Sequence, residues 1–337
     1  MSGFEPARNL FWRLDQRPEG DNYETALSLQ EAELTAPVSG EVIVRNKYIS
    51  LDPGTRMWMS PREDSYMPPL PLGATMAGLG MGEVYASNHP DFAEGDLVRG
   101  FGHWAQYSTV NAEEAGLTKL DAGIDDWRQH LGALGFNALT ALWGIAEIGQ
   151  AKPGDKVLVS AAAGCTGLLA CQIALALGCE VYGIAGGPDK CAMLENEYGV
   201  HALDYKAGGL ADKLSQVEGG FNIYFDNVGG EILEAALDNM ALLGRIAVCG
   251  MIADYENTPT QPKNYDQVLM KRLLIQGFLA PDFAEHMPAM NARLLELYRS
   301  GQINSPFDET AGIENILSAY RKLFTGGNIG KTVVKLY

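Results

Sequence analysis

Val157-Leu158-Val159-Ser160-Ala161-Ala162-Ala163-Gly164-Cys165-Thr166-Gly167 is the stretch that decides the fold. The apolar run 157–159 reads as a buried strand, and the apolar stretch 168–177 beyond the turn reads as a helix. Gly164 and Gly167 hold the second and third positions of the strand–GxGxxG–helix pattern, with Ala162 in the first. Gly164 lets the backbone come close to a pyrophosphate. Gly167 lets the helix pack tightly on the sheet, with its N-terminal amides facing the phosphates. A turn rich in Gly and Ala also occurs as a plain helix–strand contact, but strand, turn and helix in this order select the dinucleotide reading.

NAD binders place an Asp or Glu about 20 residues further on, at the tip of the second strand, for the ribose hydroxyls. Here that tip is Ala185-Gly186-Gly187, followed by Pro188-Asp189-Lys190. No carboxylate stands at the tip, and Lys190 is close enough to pair with a 2′-phosphate. Asp189 suits the first turn of a helix. A charge-assisted bond of about 1.5–3 kcal/mol favours NADPH over NADH by roughly tenfold to a hundredfold. A solvated surface lysine is the alternative for Lys190, and the glycine turn before it argues against that.

At 337 residues the chain suggests two domains, and 47% hydrophobic content fits a globular protein. A net charge of −17 argues against a nucleic-acid partner, which needs a basic footprint. Cys165, Cys171, Cys179, Cys191 and Cys249 form no C-x-x-C pair, so reduced thiols in a cytoplasmic protein are the expectation. Residues 1–20 are polar, unlike a signal sequence. The most apolar segment, 133–148, carries Asn137, Thr140 and Glu147, which suits a buried helix rather than a membrane span.

Residues 1–125 read as mostly β, with strands expected at 41–50, 82–85 and 96–99. From about Trp127 short apolar runs alternate with helical stretches. The runs are 156–160, 180–185, 201–205, 222–227, 245–250 and 274–279. The helices are 168–177, 191–198, 210–217 and 232–240, with another near 287–300. Such alternation gives a doubly wound parallel sheet with its ligand at the carboxyl ends of the strands. The last segment ends in a strand-like run, 331–336, whose most economical course is back to the first domain.

Several motifs in order then carry a resemblance. They are SLDPGTRMWM at 50–59, the AAAGCTG turn, GGPDK at 186–190, LDYK at 203–206, YFDNVGGE at 224–231, CGMIADY at 249–255 and NIGKTVVK at 328–335. Together they resemble the zinc-independent medium-chain dehydrogenase/reductases, in the prostaglandin and curcumin reductase branch. The resemblance implies an α/β fold: a β-rich GroES-like catalytic domain, residues 1–126 and 302–337, interrupted by a Rossmann NADP-binding domain, residues 127–301. It implies a homodimer built on the Rossmann sheet. It also implies that Gly164, Cys165, Thr166 and Gly167 hold the pyrophosphate and that Lys190 and Tyr205 hold the 2′-phosphate. Asn227, Cys249, Gly250, Met251, Ile252, Tyr255, Phe278, Leu279, Ala280 and Asn328 would surround the ribose and nicotinamide. The chain departs from the branch in three places. Gly54-Thr55 stands where a Tyr-Met or similar pair is frequent, Asn137-Ala138 where Pro-Gly is common, and Leu142 where Tyr is frequent. All three are expected to line or shape the substrate cleft.

No metal is expected. The segment matching the Gly-His-Glu of zinc relatives reads Gly73-Ala74-Thr75, and no cysteine precedes Cys165. His89, His103, His130, His201 and His286 show no ligand spacing. Without a Lewis acid, alcohol oxidation is disfavoured. Reduction of the C=C bond of an α,β-unsaturated ketone or aldehyde needs only hydride to the β-carbon and a donor for the carbonyl oxygen. Tyr255 is the candidate donor, with Tyr48 and Tyr66 in reserve from the first domain. Met57, Trp58 and Met59 suggest a hydrophobic substrate, or equally a core or interface. An NADPH quinone reductase and a non-catalytic NADPH-binding protein of the same fold are the competing readings.

Overall fold

The computed structural model describes residues 4–65, 67–256 and 261–337, with the backbone alone at Ala280 and Pro281. The chain divides into two compact units. One comprises Met1–Leu131, Phe307–Gly327 and Thr332–Tyr337, and the other Gly132–Pro306 with Asn328–Lys331.

In the second unit the apolar runs pair side by side as a six-stranded sheet. Its order is His201–Asp204, Glu180–Ala185, Lys156–Val159, Phe221–Asp226, Met240–Val248, Leu274–Gly277. Neighbouring strands are parallel throughout. Counted along the chain the order is 3-2-1-4-5-6, so the direction of winding reverses between Lys156–Val159 and Phe221–Asp226. Val157, Leu158, Val159, Ile223, Tyr224 and Phe225 are fully buried, because helices cover both faces. That is why these strands read as unbroken apolar runs rather than alternating ones.

Three helices start two or three residues earlier than the sequence suggests. Cys165–Ala176, Pro188–Tyr198 and Gly230–Asn239 follow Gly164, Gly187 and Gly229 as N-caps, with no side-chain cap. A glycine cap leaves no Ser, Thr or Asp to mark the boundary. The first of these helices is apolar all round, and its residues 167–174 are all buried.

The first unit is built on a seven-stranded sheet. Its central strands, Glu41–Ser50 and Ala77–Ser87, are antiparallel, and Lys331–Lys335 returns to pair with Glu41–Ser50. An N-terminal hairpin, Arg8–Leu14 with Leu27–Glu33, is absent from the sequence reading. Its polar residues alternate with Trp12 and Leu14, which bury in a core with Tyr23, Trp104 and Tyr320. The helix Ile316–Thr325, also unassigned from sequence, supplies Ile316, Leu317, Ala319 and Tyr320 to that core. Among the described residues no helix is long and apolar enough to cross a membrane.

The expected buried helix at 133–148 is Phe136–Trp143, continued by one wider π-turn, Gly144–Ile148. A Cβ on Gly144 would lie 2.4 Å from the Phe225 ring and 2.7 Å from the Phe278 ring. Gly144→Ala should therefore overpack this helix against the sheet, at about 1–3 kcal/mol. Calorimetry should show the midpoint falling by about 2–4 °C per kcal/mol. An unmoved midpoint would mean that both rings yield without cost.

Candidate functional site

The winding reverses between Lys156–Val159 and Phe221–Asp226, and the carboxyl ends of the strands at such a point are where open α/β sheets bind ligands. The turn after Lys156–Val159 is tight: Ala161 adopts φ +49°, and Gly164 N–H donates to the Ala161 carbonyl at 2.9 Å. That same carbonyl lies 2.3 Å from where a Cβ on Gly167 would sit. Any side chain at 167 would push the helix away from the turn. Among the described residues, the only atom that a Cβ on Gly164 would meet within 4 Å is this carbonyl, at 3.3 Å, which leaves room beside it for close approach. Because the helix begins at Cys165, residues 165–167 form its first turn, whose amides lack intrahelical acceptors. A turn with bare glycines at 164 and 167 leading into a helix N-terminus fits a pyrophosphate.

The flank of the cradle comes from 328–331. Gly330 N–H donates to the Ala163 carbonyl at 2.8 Å, and Asn328, nearly buried, donates to the Gly330 carbonyl at 3.3 Å. Thr166 accepts a hydrogen bond from Asn137 at 3.0 Å, and Cys165 Sγ lies 3.9 Å from Ser305 Oγ. Asn137 thus reaches the glycine turn. Leu142 is buried. Thr55 lies in the core of the first unit, its hydroxyl 2.9 Å from the Tyr320 phenol.

At the tip of Glu180–Ala185, the Asp204 carboxylate accepts from Gly187 N–H and Lys206 N–H, each at 2.9 Å. The Gly187 bond, with Lys206 in support, holds Asp204 below the usual carboxylate range. A Cβ on Gly186 would lie 2.8 Å from the Tyr205 ring and 2.9 Å from Lys206 Cε, so the bare tip is what admits both side chains. Lys190 occupies the first turn of Pro188–Tyr198 beside the same tip. The structure thus brings Tyr205 and Lys206 together where Lys190 begins its helix. Lys206, the last residue of LDYK, was given no role by the sequence and lies beside Tyr205 at this tip.

The third group surrounds the end of Phe221–Asp226. Asp226, fully buried, accepts at Oδ1 from the Tyr224 hydroxyl and from the Val228 and Gly229 amides, at 2.7–3.0 Å. Burial outweighs these bonds and raises its carboxyl. The turn it shapes presents Asn227, whose side chain donates to the Ser160 carbonyl at 2.7 Å and whose carbonyl accepts from Ile252 N–H at 3.2 Å. Cys249 and Gly250 amides both donate to the Asp226 carbonyl. Burial, with Asp226 adding to it, pushes the Cys249 thiol up to about 12. The Tyr255 phenol oxygen accepts from Met251 N–H at 3.3 Å, closing a short loop over Gly250. Phe278 is buried against Phe225, Leu279 is exposed, and Ala280 opens the short turn Ala280–His286.

Of the reserve tyrosines, Tyr48 is buried with Met81, Leu131 and Val333 in the first unit, and burial raises its phenol. Tyr66 lies outside the described residues. Among the described residues, no three His, Cys, Asp or Glu side chains gather as a metal ion requires.

A parallel sheet of this order, with a glycine turn at its reversal point and an antiparallel β unit in the same chain, has the architecture of the dinucleotide-binding class. Residues 11–120 match the family described as the N-terminal domain of oxidoreductase, and residues 165–296 match the zinc-binding dehydrogenase family. The chain is 34% identical to the NADPH-dependent curcumin reductase of Escherichia coli, over 99% of each chain. It is 37% identical to a 2-alkenal reductase (NADP(+)-dependent) of Nicotiana tabacum, over 88% of this chain and 87% of that one. The structure of CurA from Vibrio vulnificus in complex with NADPH superposes with a TM-score of 0.91 at 33% identity, covering 98% of this chain and 99% of that one. The chain belongs to the medium-chain dehydrogenase/reductase family, in the branch of the curcumin, alkenal and prostaglandin reductases.

Proposed function

We propose that this protein is an NADPH-dependent reductase of the C=C bond of small hydrophobic α,β-unsaturated ketones and aldehydes. The observation that carries the reading is the combination, in one chain, of the Gly164–Gly167 cradle with full-length identity to curcumin and alkenal reductases. The first-turn amides of residues 165–167 would hold the pyrophosphate, with Lys190 and Tyr205 on the 2′-phosphate. Asn227, residues 249–255, residues 278–280 and Asn328 would enclose the ribose and nicotinamide. Bound NADPH supplies hydride for the β-carbon of the acceptor. As hydride adds to the β-carbon, the C=C pair shifts to form the carbon–carbon double bond of an enolate and the C=O pair moves onto oxygen; a proton from solvent then adds at the α-carbon. Tyr255 is the proposed catalytic donor to that oxygen. Accepting from the Met251 amide orients the phenol oxygen and strengthens its own O–H as a donor.

With deuterated NADPH and an enone, the label should appear on the β-carbon, read by NMR. Turnover confined to quinones would replace this reading by a quinone reductase, and tight NADPH binding without any turnover would leave a binding protein. Tyr255→Phe should lower kcat by about 10²–10³ with NADPH affinity kept. Unchanged turnover would remove the phenol from the chemistry.

Lys190→Ala should weaken NADPH binding by roughly tenfold to a hundredfold while leaving NADH almost untouched. Equal losses for both cofactors would contradict a 2′-phosphate contact.

A homodimer is proposed through the open edge of the six-stranded sheet. Leu274–Gly277 is exposed along its length, and Leu242, Leu243, Leu269 and Met270 add exposed apolar surface. An unpaired apolar edge strand calls for a partner. Ile275→Lys should shift sedimentation towards the monomer, and a wild-type protein that sediments as a monomer excludes the arrangement. Five free thiols support a cytoplasmic setting, which cell fractionation tests.

A further inference from the structure

We propose that Asn137 is a positioning residue for the cofactor, aiming the Thr166 hydroxyl at the pyrophosphate. The inference rests on the NADPH reading above and concerns a residue at which this chain departs from its branch.

The side-chain chemistry fixes the direction of each bond. Lys331, 1% exposed, donates through Nζ to Asn137 Oδ1 at 2.9 Å. A lysine only donates, so the amide oxygen of Asn137 must face it and the amide nitrogen must face the other way. That nitrogen lies 3.0 Å from Thr166 Oγ1. Being a donor only, it obliges the hydroxyl to accept, and the Thr166 hydrogen must then point elsewhere. Thr166 makes no hydrogen bond to an acceptor among the described residues. The residue sits in the first turn of Cys165–Ala176, half-buried, among the amides of the cradle. A hydroxyl held this way is a donor set in advance for a phosphate oxygen. Each donor in the chain polarises the next, so the basic side chain of Lys331 strengthens the last link.

The far end of the chain is held firmly. Gly330 adopts φ +65°, and a Cβ there would lie 2.1 Å from the Pro306 carbonyl. Lys331 N–H donates to that carbonyl at 2.9 Å, while Gly330 N–H is tied to Ala163 in the turn itself. Both ends of the Lys331–Asn137–Thr166 line are therefore fixed to the same turn. Asn137 spans the gap between them. A proline at 137 offers no side-chain donor or acceptor for this purpose.

The test is cofactor affinity by fluorescence titration, with the thermal midpoint of each variant recorded beside it. Asn137→Ala should raise the Kd for NADPH by about three- to tenfold. NADH should weaken by the same factor, since the pyrophosphate is common to both, in contrast to Lys190→Ala. Thr166→Val should reproduce the loss, and the double variant should bind no worse than Thr166→Val alone. Asn137→Asp should bind worst, because the carboxylate captures Lys331 and takes the Thr166 hydrogen for itself. Additive losses, a loss confined to NADPH, or unmoved affinity would each overturn the assignment. Should Asn137→Ala fail to fold, Thr166→Val alone decides: unchanged affinity for both cofactors refutes it. A wild-type protein that does not bind NADPH removes the parent reading as well, whereas normal wild-type binding with unmoved variants removes only this one.

Discussion

The carbonyl oxygen of Ala161 is the fixed point on which the nucleotide-binding unit depends. It accepts from Gly164 and stands where any side chain on residue 167 would have to go. That one steric exclusion sets how closely the apolar helix approaches the sheet, and so how much of residues 167–174 is buried. The same glycines bring the N-terminus of the helix up against the turn. In the proposed reading, the geometry that packs the helix is also what lets a pyrophosphate approach its N-terminus.

Around this point the neighbouring segments act as braces. Residues 328–331 hydrogen-bond to Ala163, and Asn227 bonds back to Ser160. The buried Asp226 carboxylate draws the 226–229 turn inward. Each brace is short and passes through backbone or a small polar side chain. At the far corner of the site the same economy appears. Gly186 has no side chain, so Tyr205 and Lys206 lie across the strand tip.

The parallel sheet was legible in the sequence because strands buried on both faces spell continuous apolar runs. Lys156–Val159, Glu180–Ala185 and Phe221–Asp226 lie within a residue of where those runs predict them. The N-terminal hairpin was not legible, since only alternate residues such as Trp12 and Leu14 turn inward and the polar ones dominate its composition. Helix starts were missed where glycine serves as the cap, at 164, 187 and 229. The glycine turn and the bare strand tip could be read from residue types alone. Contacts that depend on distant segments could not: Lys331 is 194 residues from Asn137, and nothing in local sequence joins them. Lys206 was in view but gave no sign of lying over Gly186, which is a matter of strand packing.

Cys249 carries a wider consequence. A conjugated carbonyl compound is a Michael acceptor, and the groups it alkylates fastest are thiolates. Burial holds the Cys249 thiol at about 12 and that of Cys179 at about 11, and pushes Cys171 up as well. At neutral pH roughly one molecule in ten thousand, or fewer, carries the sulfur anion at Cys179 or Cys249. At Cys171, Cys179 and Cys249 the desolvation that packs the sheet thus disfavours the form of sulfur that such an electrophile attacks.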